Sequence, residues 1–325
     1  MSAKNNAHSN GNVPPIRGRD VIHRWEGNPV ISLEKLPFTC LNIMNAGAVQ
    51  CGDEYILLVR VETMRGHSVF LVARSQDGIH FECDDKVLME PAKDGQFAIY
   101  EERGVEDPRI TFLDGTYYII YTANSRHGTR LALAKTDDFK SVTRIGLISE
   151  PDNKNGALFP KKINGCYVRL ERPKDGGNIW LSYSDDLVYW GENNVVMSPR
   201  GAGFWDAERI GCAVPPIEVN EGWLLIFYGV KDTSGGPLFR LGAAVLDKYD
   251  PSKVIARSQE PILSPREDYE RIGDVGNMVF SCGAIMNETN KTLYLYYGAS
   301  GMVVCLGTAK IDDILRCCFQ KGGKS

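Results

Sequence analysis

The sequence predicts an all-β protein, and more specifically a five-bladed β-propeller formed by a single domain. One phrase recurs five times along the 325 residues: a short apolar segment, a turn of Gly, Asn or Asp residues, and a strand rich in β-branched and aromatic residues. A further apolar strand follows each of these hairpins, and amphipathic helical stretches are scarce. Four-stranded units repeated in this way are typical of propellers, which protect their sheet edges by radial closure.

The five hairpins follow one another at fairly regular intervals. Their turns fall at Gly52, Gly115, Gly165, Gly222 and Asn290, so that consecutive turns are 63, 50, 57 and 68 residues apart. The third strand of each unit is expected at residues 69–73, 131–134, 179–183, 241–246 and 303–309. Polar turns after three of these strands lead into a fourth strand. A β-sandwich is the alternative architecture, but it does not require five copies of one phrase.

The chain contains no linker that would divide it into separate domains. We therefore expect residues 19–315 to form one catalytic propeller, with a disordered extension at residues 1–18 and a tail at residues 316–325. The first 15 residues lack the apolar stretch of a signal peptide, and no apolar run is long enough to span a bilayer. The nine cysteines are odd in number and contain no C-x-x-C pair, which indicates reduced thiols. Together these features predict a cytoplasmic protein.

The charge balance and the missing motifs exclude several classes of function. With 37 Lys and Arg against 41 Asp and Glu, the net charge of −4 provides no general attraction for nucleic acid or for an acidic membrane. The sequence has neither an H-E-x-x-H zinc motif nor a G-x-S-x-G nucleophile elbow, and its five histidines are dispersed. We therefore expect no metal, no organic cofactor, and no nucleic-acid or membrane partner. A homo-oligomer is compatible with the sequence but is not specified by it.

Polar segments precede the second, third and fourth hairpins, where the first strand of a propeller blade approaches the central axis. These segments and the end of the third hairpin carry Asp107 together with Lys154, Arg172 and Arg209. The alternative for any one of these charges is an ion pair at a blade edge. Cleavage of a glycosidic bond requires an acid for the departing oxygen and a nucleophile on the other face of the sugar. A water nucleophile needs a second carboxylate as its base, whereas phosphate needs cations that hold it, so one acid and three cations fit phosphorolysis better.

Five ordered motifs in this chain resemble those of the β-mannoside phosphorylases of glycoside hydrolase family 130. They lie at residues 104–111, 155–160, 171–173, 209–211 and 222–226, and the resemblance covers roughly residues 24–315. The resemblance implies a five-bladed propeller. It also implies cleavage of β-mannosidic bonds with inversion, mostly by inorganic phosphate with release of α-mannose 1-phosphate.

The resemblance also assigns roles to individual residues. Asp107 matches the catalytic acid, which in this family acts through a hydroxyl group of the bound mannose, and the phosphate-binding cations match Lys154, Arg172 and Arg209. Asn45 and Arg60 match sugar-contacting positions; without the resemblance, they would be a turn residue and a strand-end ion pair. One departure lies in the last unit, where relatives usually carry an Asp that contacts the mannose and this chain has Gly301.

Aromatic and acidic residues near the expected mouth of the propeller complete the predicted substrate site. Phe204 and Trp205 lead directly into Asp206 and Arg209, so they are the best candidates for an acceptor subsite. The alternative for each aromatic residue is packing within a blade. Asp206 and Glu106 are predicted to contact the substrate as well.

We therefore predict an inverting phosphorylase of the hexosyltransferase type, which acts on β-mannosides or manno-oligosaccharides with inorganic phosphate as co-substrate. One rival is an inverting β-mannosidase in which a carboxylate such as Glu208 activates water. A second rival is a mannoside-binding propeller that has lost catalysis, an interpretation motivated by Gly301. The linkage, the acceptor sugar and the preferred chain length depend on loops that the sequence does not place.

Overall fold

The protein is described by a computed structural model that covers residues 20–201 and 203–320. Within these residues, 21 β-strands are accompanied by three short α-helices and two short 3₁₀ helices. The prediction of an all-β protein is confirmed. The predicted extension at residues 1–18 lies outside the described residues, as do residues 321–325 of the predicted tail.

The strands form five antiparallel groups, named here in chain order, and the first strand β1 belongs to the last group. The first group contains β2 (Cys40–Cys51), β3 (Glu54–Thr63), β4 (Ser68–Ser75) and β5 (Glu82–Met89), and the second contains β6 (Gly104–Leu113), β7 (Thr116–Ser125), β8 (Gly128–Thr136) and β9 (Thr143–Leu147). The third contains β10 (Asn153–Leu158), β11 (Tyr167–Pro173), β12 (Ile179–Ser184) and β13 (Gly191–Met197), and the fourth contains β14 (Arg209–Cys212), β15 (Ile217–Val219), β16 (Gly222–Thr233), β17 (Gly236–Leu246) and β18 (Val254–Arg257). The fifth contains β19 (Val279–Asn287), β20 (Thr292–Ala299) and β21 (Val303–Lys310), together with β1 (His23–Arg24).

Two connections tie the groups together through the backbone. The first and second groups share one parallel residue pair, Ser68 with Gly104. The fifth group is completed from the other end of the chain, because His23 in β1 pairs with Thr308 in β21. The first strands of the groups also lie close to one another, since β2 contacts both β6 and β19, and β10 contacts both β6 and β14.

The hydrophobic core is divided into five clusters, and each cluster lies between two groups. The clusters join the first group to the second, the second to the third, the third to the fourth, the fourth to the fifth, and the fifth to the first. Strand β3 shows why, because Ile56 and Leu58 pack toward the second group while Leu57 and Val59 pack toward the fifth. Successive side chains of a strand point to opposite faces, so an apolar strand supplies two neighbouring cores.

The helices occupy connections between strands and the end of the described chain. They are α1 (Gly95–Tyr100), α2 (Asp268–Arg271) and α3 (Ile311–Phe319), and the 3₁₀ helices are Leu33–Lys35 and Asp175–Gly177. Helix α3 buries Ile314 and Cys318 in the cluster between the fourth and fifth groups. The predicted domain boundary at residue 315 therefore falls inside a packed helix. No helix in the described part of the chain is both long and apolar enough to cross a membrane. All nine cysteines are free thiols, as predicted.

Candidate active site

The first strands of three groups are irregular at the same place. The pairing register shifts between Ile43 and Ala46 in β2, between Glu106 and Arg109 in β6, and between Lys154 and Ala157 in β10. These irregularities contain Asn45, Asp107 and Asn155, and the last two have positive φ angles of 52° and 57°. A bulge changes the direction of a side chain relative to a regular strand. Asn45 and Asp107 were predicted as site residues from the sequence, but the bulges that carry them were not.

The carboxyl group of Asp107 is held by two residues of the first group. Its Oδ1 atom accepts hydrogen bonds from Asn45 Nδ2 and from Arg60 Nη1, each at 2.9 Å. The side chain is buried, with 7% of the residue exposed. The structure thus brings together three predicted site residues that are up to 62 residues apart in the chain.

The electrostatic surroundings keep Asp107 ionised. Burial disfavours the charged carboxylate, but the positive charges of Arg60, Arg109 and Lys154 and the hydrogen bond from Asn45 outweigh it and lower the pKa to about 2. Because this pKa is lower than that of an unfolded Asp, the ionised group stabilises the fold above about pH 4. That contribution is lost as the pH falls through about 2.

Arg109 connects the acid to the fourth group, and the sequence analysis did not single it out. Only 1% of this residue is exposed. Its guanidinium donates to three backbone oxygens: that of Asp107 at 3.0 Å, that of Cys212 at 3.0 Å and that of Ala213 at 2.8 Å. The sequence did hold one indication of its role, because Arg109 lies two residues after Asp107. Residues i and i+2 of a strand point to the same side of the sheet.

Glu106 links Arg60 to Lys154 beside the acid. Its Oε1 atom lies 3.0 Å from Arg60 Nη2 and accepts a hydrogen bond of 2.7 Å from Asn124, while its Oε2 atom lies 3.5 Å from Lys154 Nζ. The prediction made Glu106 a substrate contact. In the structure Glu106 lies next to Asp107, but its carboxylate is already paired with Arg60 and Lys154. This pairing indicates that Glu106 holds Lys154 near the acid.

The three predicted phosphate-binding cations lie on the third and fourth groups. Lys154 and Arg172 face each other across β10 and β11, and Arg172 Nε donates to Asn155 Oδ1 at 3.0 Å. The same oxygen accepts a bond of 2.8 Å from the Tyr228 hydroxyl in β16, which joins the two groups. The guanidinium of Arg209 lies over the ring of Phe239, 5.4 Å from its centroid. Within residues 20–201 and 203–320, neither Arg172 nor Arg209 forms an ion pair with a carboxylate, so both remain free to hold an anion.

A glycine in the short 3₁₀ helix of the third group sets the position of Arg209. Gly177 has a φ of 61°, and a Cβ atom added there would lie 2.8 Å from Arg209 Cβ and 3.0 Å from the Glu208 carbonyl oxygen. Any larger residue would therefore displace the backbone that carries Arg209.

Replacing Gly177 with Ala is expected to raise the KM for phosphate by about three- to tenfold, because a misplaced guanidinium loses part of a charge-assisted hydrogen bond. The matched control is Gly176→Ala, since Gly176 has a similar φ of 74° but its added Cβ would meet only the side chain of Asn178. Both variants should lose similar stability from the left-handed backbone. Steady-state kinetics with varied phosphate would contradict the prediction if the two variants gave the same KM.

The residues predicted as an acceptor site are placed differently by the structure. Asp206 is fully buried, and its carboxylate binds Arg200 Nε at 2.9 Å and Arg257 Nη2 at 2.6 Å. Trp205 is also buried, where its ring stacks on Phe227 and its Nε1 donates to the Gln259 carbonyl oxygen.

This placement corrects the predicted roles of Asp206 and Trp205 as substrate contacts, because side chains buried among arginines and aromatic rings have no surface left for a sugar. Phe204 differs from them, since 41% of it is exposed. The guanidinium of Arg200 lies over the Phe204 ring, 4.6 Å from its centroid. Phe204 therefore keeps a free ring surface, and its acceptor-site role stays a prediction.

Replacing Asp206 with Asn is expected to lower the free energy of unfolding by about 3 kcal/mol, because it removes a fully buried carboxylate that two half-buried guanidinium groups share as counter-ion. At temperatures where the variant is still folded, its KM for a mannoside should differ from the wild-type value by less than about twofold if no sugar touches this residue. Urea denaturation and steady-state kinetics on the same preparation check both outcomes. A large rise in KM without a loss of stability would restore the original substrate-contact interpretation.

Gly301 lies in the tight turn between β20 and β21 with a φ of 71°. A Cβ atom added there would lie 3.2 Å from Met44 Sδ and 3.5 Å from Asp274 Cβ. The turn therefore sits next to the part of β2 that carries Asn45, and a carboxylate of another segment lies beside it.

A cavity of about 670 Å³ opens at the opposite ends of the first strands. Gln50, Phe112, Pro216 and Met286 are among its lining residues, together with Leu315 of α3. None of the predicted site residues lines this cavity. The charged cluster around Asp107 is therefore the better candidate for the functional site.

The fold and the site together define a class of protein. It is an all-β protein whose strand bulges carry one buried carboxyl group close to several cations, the arrangement that glycoside cleavage by an anionic nucleophile requires. The chain belongs to glycoside hydrolase family 130. The family model described as beta-1,4-mannooligosaccharide phosphorylase matches residues 29–320.

Individual relatives support the same assignment. The chain is 45% identical over 296 residues to a beta-1,2-mannobiose phosphorylase of Thermoanaerobacter sp., an alignment that covers 86% of this chain and 94% of the relative. It is 32% identical over 317 residues to a beta-1,4-mannooligosaccharide phosphorylase of Ruminococcus albus, with 94% of each chain covered. Among solved structures, the beta-1,2-mannobiose phosphorylase of Listeria innocua in complex with beta-1,2-mannobiose superposes with a TM-score of 0.83 at 31% identity, covering 91% of this chain and 99% of that one.

Proposed function

We propose that this protein is an inverting glycoside phosphorylase that cleaves β-mannosidic bonds of mannosides or manno-oligosaccharides with inorganic phosphate and releases α-mannose 1-phosphate. The observation that carries the proposal is the buried carboxyl group of Asp107, which is held by Asn45 and Arg60 with Lys154 nearby, while Arg172 and Arg209 on the third and fourth groups have no carboxylate partner within the described residues. The curated relatives that match the chain are named as phosphorylases of mannosides, which supports the same conclusion.

We infer that the five strand groups are the five blades of a propeller. The hydrophobic clusters support this, because each lies between consecutive groups and one joins the last group to the first. The pairing of β1 with β21 would close the ring by joining the two ends of the chain in one blade.

In the proposed reaction, Lys154, Arg172 and Arg209 hold phosphate on one face of the mannosyl ring. A phosphate oxygen attacks the anomeric carbon and forms the new C–O bond as the glycosidic C–O bond breaks. The proton of Asp107 passes to the departing oxygen through a hydroxyl group of the mannose. Asn45 and Arg60, which bind the carboxyl group of Asp107, would contact the sugar at the same place.

The low pKa of Asp107 gives phosphate a second role in this proposal. Without a ligand the carboxyl group is ionised and cannot donate a proton, in part because Lys154 is nearby. A bound phosphate brings negative charge and neutralises the cations, and both effects raise the pKa of a neighbouring carboxyl group. Binding of the nucleophile would therefore prepare the acid. No other cofactor is required by these steps, and a cytoplasmic location stays a prediction.

Phosphate dependence is the decisive test. The purified protein is incubated with β-1,2-mannobiose or β-1,4-mannobiose, with and without phosphate, and the products are identified by NMR. We expect α-mannose 1-phosphate and free mannose only when phosphate is present. Release of mannose at equal rates without phosphate would instead identify a hydrolase, and binding without turnover in either buffer would identify a mannoside-binding protein.

A further inference from the structure

Arg109 connects two strand groups that are not neighbours. Each hydrophobic cluster of the described residues lies between consecutive groups, so apolar packing fixes each group only against the next one. The Arg109 side chain starts from β6 in the second group and reaches the fourth group. Its Nε atom donates to the Ala213 carbonyl oxygen at 2.8 Å, and its Nη2 atom donates to that of Cys212 at 3.0 Å. This one side chain therefore ties the second group directly to the fourth.

The same guanidinium group also holds the backbone of Asp107. Its Nη1 atom donates to the Asp107 carbonyl oxygen at 3.0 Å. Asp107 has a φ of 52°, and the pairing of β6 with β7 shifts its register between Glu106 and Arg109, so the regular ladder is interrupted at the acid. A residue other than glycine keeps such a backbone conformation only where its surroundings hold it there. Arg109 supplies a buried donor at this point of the bulge.

The end of this connection in the fourth group carries Arg209. Arg209 is the first residue of β14 and Cys212 is the last, and the pairing of β14 with β16 shows no register shift between them. A regular strand rises about 3.3 Å per residue, so the backbones of Arg209 and Cys212 are about 10 Å apart. A displacement of the Cys212 carbonyl group is therefore passed along a paired strand to Arg209.

The hydrogen bonds of Arg109 go to the backbone alone. Only 1% of the residue is exposed, and it forms no ion pair with a carboxylate of residues 20–201 and 203–320. A buried charge is unfavourable unless it is hydrogen-bonded, and here three nitrogens each donate to a different carbonyl oxygen. The planar arrangement of these donors fixes the three oxygens relative to one another. A lysine would keep the charge, but its donors all leave from one nitrogen atom.

We propose that Arg109 is a positioning residue, which fixes the separation between the acid Asp107 and the phosphate-binding residue Arg209. This inference rests on the proposed function, in which Asp107 serves the departing oxygen while Arg209 holds the attacking phosphate. Both groups act in the same step, and a misplacement of about 1 Å can lower a rate by about 100-fold. Arg109 acts through these two residues rather than on a substrate, because its three nitrogens all bind backbone oxygens.

The test compares Arg109→Lys with the wild-type protein, since this variant keeps the positive charge and loses the planar set of donors. We expect kcat for the phosphorolysis of mannobiose to fall about 10- to 100-fold, because the acid is displaced. The KM for phosphate should rise about three- to tenfold, because Arg209 is displaced as well. Wild-type values of both parameters would overturn the inference, because the charge alone would then be sufficient.

An aryl β-mannoside with a nitrophenolate leaving group separates positioning from a general loss of active protein. This group departs without protonation, so a displaced acid matters less. The loss of kcat in Arg109→Lys should be at least about threefold smaller with this substrate than with mannobiose, while the rise in the KM for phosphate is retained. Equal losses of kcat on the two substrates would overturn the inference.

Arg144→Met is the matched control for a loss of stability. Arg144 lies in β9, the outermost strand of the second group, and its guanidinium pairs at 2.8 Å with Glu101, which is fully buried. Removing a cation from a buried carboxylate is strongly destabilising, and urea denaturation measures the loss. In the folded protein, kcat and the KM for phosphate should stay within about twofold of the wild-type values. If this variant reproduced the kinetics of Arg109→Lys, the inference would be overturned.

A structural measurement keeps the inference testable if the proposed function fails, which the absence of mannose 1-phosphate with the wild-type protein would reveal. Crystal structures of the wild-type protein and of Arg109→Lys should differ by about 1 Å in the separation of the Asp107 and Arg209 Cα atoms. An unchanged separation would overturn the inference. If neither Arg109→Lys nor Arg109→Gln folded, Arg109 would be a requirement of the fold rather than a positioning residue, and the inference would be overturned as well.

Discussion

Replacing Asp107 with Asn is expected to lower the rate of phosphorolysis by about 10²- to 10⁴-fold, the range typical of removing a general acid. The amide oxygen of Asn can still accept the hydrogen bonds from Asn45 and Arg60, so the shape of the site should be retained. What is lost is the proton that the departing sugar oxygen requires. The measurement is the initial rate of mannose 1-phosphate formation from mannobiose at saturating phosphate.

The control for this prediction is Asp114→Asn, an exposed Asp in the turn between β6 and β7 with a φ of 50°. Asn tolerates such a backbone angle, so this variant should be fully active. An aryl β-mannoside with a nitrophenolate leaving group gives a sharper test, because that group departs without protonation. Asp107→Asn should cleave it at a rate much closer to that of the wild-type protein. Equal losses on both substrates would reject the acid role.

Replacing Arg172 with Ala is expected to raise the KM for phosphate by about 10- to 100-fold, which corresponds to the loss of a hydrogen bond to a charged group. The reason is that Arg172 is bound through its Nε atom to Asn155, which leaves its two terminal nitrogens for an anion. The KM for mannobiose should change less than threefold. Steady-state kinetics with each substrate varied in turn separates the two effects.

Lys174→Ala is the matched control for Arg172→Ala. Lys174 is a cation two residues further along the chain, its side chain is 75% exposed, and it pairs with Asp152. Removal of this charge should leave the KM for phosphate within about twofold of the wild-type value, because exposed ion pairs contribute little. If Arg172→Ala affected the mannoside and phosphate equally, Arg172 would be a part of the general site rather than of a phosphate site.

The five hairpins were predictable because their signals are local. Each predicted turn, from Gly52 to Asn290, lies at the junction of two paired strands in the structure. A turn is specified by a few neighbouring residues, and alternating apolar residues specify the strands on both sides. The predicted acid and its partners Asn45 and Arg60 also meet, as the first strands β2 and β6 lie against each other.

The acidic residues of the second and fourth units show the limit of this reasoning. Asp107 lies within the first strand of the second unit and Asp206 lies just before the first strand of the fourth, and the sequence suggested a site role for each. The structure surrounds Asp206 with Arg200 and Arg257 and buries it completely, whereas Asp107 shares a cluster with other site residues. Arg109, which crosses to the fourth group, was also not predicted as a site residue, although it lies two residues after Asp107.

The sequence by itself thus determined the all-β class and the five repeated hairpins, and it predicted Asp107 as the acid together with Lys154, Arg172 and Arg209 as its cations. Only the tertiary structure decided which charges neutralise one another, where the strands bulge, and which distant segments meet through side chains such as those of Asn42 and Asp274. The physical reason is the distance along the chain between the residues that determine each feature. Backbone conformation depends on residues close in the chain, but the partner of a charge or of an amide oxygen comes from segments as far apart as Asn42 and Asp274, which are 232 residues from each other.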